Sequence, residues 1–151
     1  MRGFRGITIL FAAVLAPALA FGAESEVTYI PAAQVDATFT KGAPLIELSD
    51  LKVHASRREK PGLVEVHERD TDVLYVLEGS ATLVTGGRML DGKTVSKDEL
   101  RGTSIEGGET RRIARGDVII IPRGVAHWFR EVPAPLTYFA VKVTGPAGLS
   151  Q

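Results

Sequence analysis

Two imidazoles and two carboxylates hold the chemistry open to this 151-residue chain. Alternation along the apolar run that starts at Leu63 puts Glu65 and His67 on one face, because successive side chains of a strand point to opposite sides. Asp72 follows across the polar stretch Glu68-Arg69-Asp70-Thr71, at the start of the next apolar run. His127 lies far along the chain, after Gly124 and before the aromatic pair Trp128-Phe129. Such a mixed nitrogen and oxygen set suits iron(II), manganese, nickel or zinc, and suits copper(I) poorly. Spacing alone does not bring these groups together, and a solvated strand face is the other reading of Glu65 and His67.

The elements that would position them are short strands. Leu45 to Leu48, Leu51 to Ala55, Leu63 to Val66, Val73 to Leu77, Ala81 to Thr85, Val118 to Ile121, Ala126 to Phe129 and Leu136 to Val143 all carry strand character. Val27 to Ile30 reads as a further short strand in an N-terminal arm punctuated by Pro31 and Pro44. Turn signals separate the runs: Pro61-Gly62, Glu78-Gly79, Gly86-Gly87, Asp91-Gly92, Gly107-Gly108, Arg115-Gly116 and Pro122-Arg123-Gly124. One short helix is expected, with Ser96 as N-cap, Glu99 closing a capping box and Gly102 as the stop. Many short strands and one token helix imply a sandwich or barrel.

Composition narrows the function. The length fits one domain. With no cysteine, disulfide scaffolds, zinc knuckles, iron–sulfur clusters and thiol nucleophiles are excluded. A net charge of zero argues against a nucleic-acid partner, whose binding face would be strongly basic. Residues 1–20 read as a secretory signal: Arg2 and Arg5 precede an apolar stretch from Ile7 to Leu15, and Ala18-Leu19-Ala20 offers small residues for cleavage. That stretch is too short to span a hydrocarbon core of about 30 Å, so no stable membrane insertion is expected. The expected location is exported, periplasmic or secreted, where a cysteine-free chain avoids thiol chemistry. The chain divides into the signal at 1–20, an arm at 21–44, a barrel at 45–144 and a tail at 145–151.

The sequence resembles the cupins, small jelly-roll barrels marked by two motifs. Gly116, Pro122, Gly124 and His127 match every spacing of the second, G-x5-P-x-G-x2-H-x3-N, with Glu131 in place of Asn. The first, G-x5-H-x-H-x3–4-E-x6-G, is degenerate: His67 takes the second His position, Glu65 the first, Asp72 the Glu position and Gly79 the final Gly. Gly62 stands out of register with the leading Gly, and the stretch between the motifs, Ser80 to Arg115, is long for the family.

The resemblance implies an all-β fold, a single cupin-type jelly-roll barrel with one short helix in the intermotif insertion. It implies one divalent metal, iron(II), manganese(II) or zinc(II), held by Glu65, His67, Asp72 and His127. Asp72 is one methylene shorter than Glu; without it, Glu65, His67 and His127 form a two-histidine, one-carboxylate set. Every replaced position keeps an oxygen donor, so binding is expected over a barrel that has lost its metal. The implied activity is a dioxygenase-like oxidation of a small molecule in the barrel. A metal-assisted isomerase or lyase, and a non-catalytic exported binding protein for a small ligand or metal, are the alternatives. By alternation Glu131 shares the inward face of His127 and is the candidate acid or base, with an exposed charge at the strand end as the other reading. His54 reads as a surface histidine. Arg57-Arg58 and Arg111-Arg112 offer anion recognition, but adjacent charges favour a solvated turn. Trp128 and Tyr75 face away from the ligands, toward a second sheet or a partner, and cupins often form homodimers.

Overall fold

The computed structural model describes residues 26–145. The expected export signal lies outside the described residues, as does the tail beyond Gly145. The elements follow as α1 (Ala32–Phe39), β1 (Ala43–Glu47), β2 (Leu51–Arg58), β3 (Val64–His67), β4 (Asp70–Glu78), β5 (Ser80–Thr85), β6 (Arg88–Leu90), β7 (Lys93–Ser96), β8 (Glu99–Gly102), β9 (Ser104–Glu106), β10 (Glu109–Ala114), β11 (Val118–Ile121), β12 (His127–Glu131) and β13 (Leu136–Thr144). They build a five-stranded sheet, β1-β2-β13-β4-β11, a six-stranded sheet, β10-β5-β12-β3-β8-β7, and the small pair β6-β9. All strand pairs are antiparallel. This is the all-β jelly-roll expected from the sequence.

Period-2 patterning decides which side chains enter the barrel. On β4 the buried positions are Asp72, Leu74 and Val76, while Tyr75 faces solvent. On β13 Leu136, Tyr138 and Ala140 are buried. Leu74, Val76, Leu136, Tyr138 and Ala140 make one apolar cluster with Leu83 of β5, Ile113 of β10, Ile121 of β11 and Phe129 of β12. Phe129 and Tyr138 stack with ring centroids 5.4 Å apart.

The one helix among the described residues is not in the intermotif insertion. Ser96 to Gly102 forms a β-hairpin instead, with Ser96 opposite Glu99 and Lys93 opposite Arg101. The capping-box signal is local, whereas β8 pairs along its whole length with β3, from Val64↔Gly102 to His67↔Glu99. Four paired residues and the packing that follows outweigh a preference of about 1 kcal/mol for a cap. Gly102 is needed for close approach and not as a helix stop: a Cβ there would lie 2.5 Å from the Leu90 carbonyl oxygen. The helix lies in the N-terminal arm, where Pro31 accepts from the backbone N–H groups of Gln34 and Val35. Phe39 fastens it to the outer face of the five-stranded sheet, edge-on to Phe139 at 5.1 Å. Val27 to Ile30 forms no strand. No described helix is long and apolar enough to cross a membrane.

Candidate metal centre

The two motif segments meet on the six-stranded sheet. His127 of β12 is the direct cross-strand partner of Glu65 of β3, and His67 follows two residues later on the same face. A backbone bond ties the segments again, from the Gly124 N–H to the His67 carbonyl at 2.8 Å. Gly124 turns the chain at that point with φ +77°, a conformation open to glycine at low cost. The result places the two imidazole rings 5.2 Å apart. Ligand atoms of Glu65, His67 and His127 all lie within 4.8 Å of one another.

The chemistry of these atoms fits a divalent cation. His127 donates from Nδ1 to the Val125 carbonyl at 3.1 Å, which leaves the lone pair of the neutral ring on Nε2, facing Glu65. His67 Nε2 is buried with no hydrogen-bond partner, 3.6 Å from Glu65 Oε2 and 3.5 Å from Asp72 Oδ2. A buried polar atom without a partner is costly unless something fills the space between the donors. Burial pushes His127 below its ordinary 6.5, outweighing the Val125 bond and the Asp72 and Glu65 charges, which favour the cation. Burial would raise Glu65, yet the neighbouring His67 ring and the charges of Arg101, His127 and Arg58 overcome it and hold the carboxyl down at about 2. The set therefore presents a carboxylate and a neutral imidazole, as a metal requires.

Asp72 reaches the same space from the opposite sheet, with Oδ2 3.9 Å from His127 Nε2. Both of its oxygens are already engaged: Lys142 Nζ donates to Oδ1 at 2.8 Å and to Oδ2 at 2.7 Å. Glu65 Oε1 accepts from Arg101 Nη1 at 3.2 Å, leaving Oε2 to face the imidazoles. Arg101 in turn is oriented by Glu99, at 2.9 Å from Nε and 2.6 Å from Nη2. A second ion pair borders Lys142, where Lys52 donates to Asp70 at 2.7 Å and Thr144 does so at 2.6 Å.

Glu131 corrects an expectation. It does not face the site. A β-bulge between Phe129 and Glu131 sets Phe129 against Leu83 but Glu131 against Thr82. The extra residue inverts the alternation, so Glu131 emerges on the outer face, exposed, and accepts from the Thr82 hydroxyl at 2.7 Å. His54 is not a surface histidine: it is half-buried on β2 beside Ala140, its Nε2 out of solvent 3.4 Å from Glu47 Oε1, and it is not one of the grouped donors Glu65, His67 and His127. Trp128 donates from Nε1 to the Gly62 carbonyl at 2.9 Å. Arg111 and Arg112 are exposed on β10, where Arg111 pairs with Glu109 and Arg112 donates to Ser80.

Lys142 and Arg101 were missed from sequence. Lys142 carried a signal: it shares a face with Leu136, Tyr138 and Ala140 in an otherwise apolar run, so a lone charge there points into the barrel. Arg101 carried none, because its segment read as a helix.

A jelly-roll barrel with two imidazoles and a carboxylate converging inside defines the class of protein. The family model for cupins matches residues 27–149, and the chain belongs to that family. No curated protein matches the sequence. Among solved structures the fold is similar to that of a protein from Bacillus halodurans (TM-score 0.55, 15% identity, 85% of this chain and 89% of that one). It is similar also to an uncharacterized conserved protein with a double-stranded β-helix domain from Klebsiella pneumoniae (TM-score 0.51, 21% identity, 83% and 89%). A third is hydroquinone 1,2-dioxygenase from a Sphingomonas species, with 4-hydroxybenzoate bound (TM-score 0.51, 13% identity, 70% and 66%). At these identities the likeness is one of fold.

Proposed function

We propose that this cupin binds one divalent metal, iron(II), manganese(II) or zinc(II), through Glu65, His67 and His127, and, where that metal is redox-active iron or manganese, carries out a dioxygenase-like oxidation of a small molecule at that centre. The observation behind the reading is the buried Nε2 of His67, which has no partner and faces the carboxylates of Glu65 and Asp72. Such a metal, when bound as iron or manganese, would supply the redox chemistry that activates dioxygen, and as zinc only Lewis-acid chemistry. The chain's own residues prepare the place. The Val125 carbonyl fixes the His127 tautomer. Arg101 aims Glu65 by holding one oxygen and leaving the other free. Lys142 holds both oxygens of Asp72 and orders it beside both imidazoles, so that Asp72 positions and does not ligate. The fold relative from Sphingomonas, a dioxygenase, supports oxidation as the leading chemistry.

A non-catalytic binding protein is the second reading, favoured by the outward position of Glu131, which leaves the centre without its expected acid or base. Metal analysis of untagged protein, with His67→Ala and His127→Ala beside it, tests the centre. Oxygen uptake across catechols, diketones and thiols then separates the two readings: stoichiometric metal without turnover supports binding alone.

The proposal extends to an exported, homodimeric protein. Export rests on residues 1–20. Support for the dimer comes from exposed apolar side chains on the outer face of the five-stranded sheet, Tyr75, Val118, Ile120 and Val143.

A further inference from the structure

Arg57 and Arg58 are the last two residues of β2 and form no solvated turn. Alternation sends them to opposite sides of the sheet. Arg57 is exposed and donates to Glu59 Oε1 at 2.9 Å. Arg58 turns into the barrel, its guanidinium carbon 4.5 Å from the centre of the Phe129 ring. Its other flank lies against Gly62, where an added Cβ would come within 2.3 Å of Nη1. Ring and backbone hold the group in place, yet its Nε is buried without a hydrogen-bond partner.

The neighbouring cations are already satisfied. Lys142 is bound to Asp72, and Arg101 to Glu99 and Glu65. The carboxylate beside Arg58, Glu65, stands 3.7 Å from Nη2, beyond hydrogen-bond length, and offers an oxygen that Arg101 already holds at 3.2 Å. Arg58 is therefore not needed to orient Glu65. It is a pre-ordered fork of donors awaiting an acceptor.

Arg58 also lines an open cleft of about 770 Å³, together with Lys41, Arg57, Lys60, Gly62 and Leu63. Glu59 is the acidic residue of that lining, and it is bonded to Arg57. One guanidinium thus joins a cationic cleft to the Glu65–His67–His127 cluster.

We propose that Arg58 anchors a carboxylate group of the small molecule taken up at this cluster, so that the ligand is a small organic carboxylate entering by the Lys41–Lys60 cleft. The assignment rests on the proposed function for its view of the cluster as the place where a small molecule is held. A planar guanidinium matches a carboxylate with two parallel N–H···O bonds. A phosphate dianion fits less well, because a single guanidinium answers it and the Glu65 charge is close.

The test uses the full chain, metal-free and metal-loaded, with acetate, benzoate and succinate as probes, each beside its amide, and inorganic phosphate. Binding is read by calorimetry and by the ¹⁵N–¹H resonance of the Arg58 Nε, assigned through its absence in Arg58→Lys. At least one carboxylate is expected to move that resonance and to bind about tenfold or more tightly than its amide. Arg58→Gln is expected to abolish the preference and Arg58→Lys to restore part of it, with melting temperatures recorded for both. The wild-type resonance decides the matter even where Arg58→Gln fails to fold. A resonance unmoved by every carboxylate, an unchanged preference in folded Arg58→Gln, or tighter binding of phosphate than of every carboxylate would overturn the assignment. Metal content is a separate readout. Carboxylate selection without metal uptake would remove the metal reading and leave this one, and metal uptake with an unresponsive Arg58 would do the reverse.

Discussion

The inner face of the five-stranded sheet changes character along its strands. Toward one end Leu136, Tyr138 and Val76 are buried among apolar neighbours, with Leu136 and Val76 almost fully removed from solvent. Toward the other, Asp72 pairs in register with Lys142, and Lys142 in turn with Lys52. The six-stranded sheet repeats the division along β12, from Phe129 opposite Leu83 to His127 opposite Thr85. The apolar end supplies folding energy in proportion to buried area. The polar end cannot, since each buried charge must be matched by a partner merely to offset its lost hydration. That end persists because the apolar end holds the strands together, and what it gains is a set of fixed, dehydrated groups that can bind. The contrast predicts that the two ends respond to different insults.

The sharpest separation is expected from His127→Ala, which removes a donor of the cluster. Metal uptake should fall from stoichiometric to undetectable by elemental analysis while the barrel still folds. Leu136→Ala should do the opposite. Loss of a fully buried leucine costs about 2–5 kcal/mol, read by denaturant unfolding, with metal content of the folded fraction unchanged. Lys142→Met strands the buried Asp72 carboxylate and should cost about 3 kcal/mol, with the double variant Asp72→Leu/Lys142→Met recovering most of it. A double variant as unstable as the single would show that the pair does more than neutralise itself.

Acid should act on the polar end alone. His127 and Glu65 both release protons more readily folded than unfolded, from ordinary values of 6.5 and 4.5. The unfolded chain therefore binds more protons, and stability falls as pH falls. The loss begins below 6.5 through His127 and deepens below 4.5, as the pH nears the Glu65 value of about 2. Melting temperatures across this window test it, and a metal-free protein equally stable from pH 7 to 4 would contradict it. The smallest effect is expected at Glu131→Gln: less than about 0.5 kcal/mol and no change in metal uptake, as befits an exposed side chain.

Much of the arrangement was legible because it rests on local periodicity. Glu65 and His67 share a face through simple alternation, and the Gly116–Pro122–Gly124–His127 spacing marked the turn that delivers the second imidazole. The hairpin at Lys93 to Gly102 was not legible, since its polar residues carry no apolar pattern and Ser96 and Glu99 imitate a helix start. The N-terminal helix escaped for a related reason: eight residues without an acidic first turn or a side-chain cap owe their place to Phe39 against Phe139.

Alternation, turn residues and motif spacing belong to the chain itself, and with the family resemblance they pointed to a barrel and four candidate donors, Glu65, His67, Asp72 and His127. The rest came from contacts between distant strands. A bulge opposite Leu83 sent Glu131 outward, and the pairing of β13 with β4 gave Asp72 to Lys142. The run of β2 past Ala55 turned Arg58 inward, onto Phe129. Local sequence sets the period with which side chains alternate. Strand partners and bulges set its phase, and the phase decides which charges meet inside the barrel.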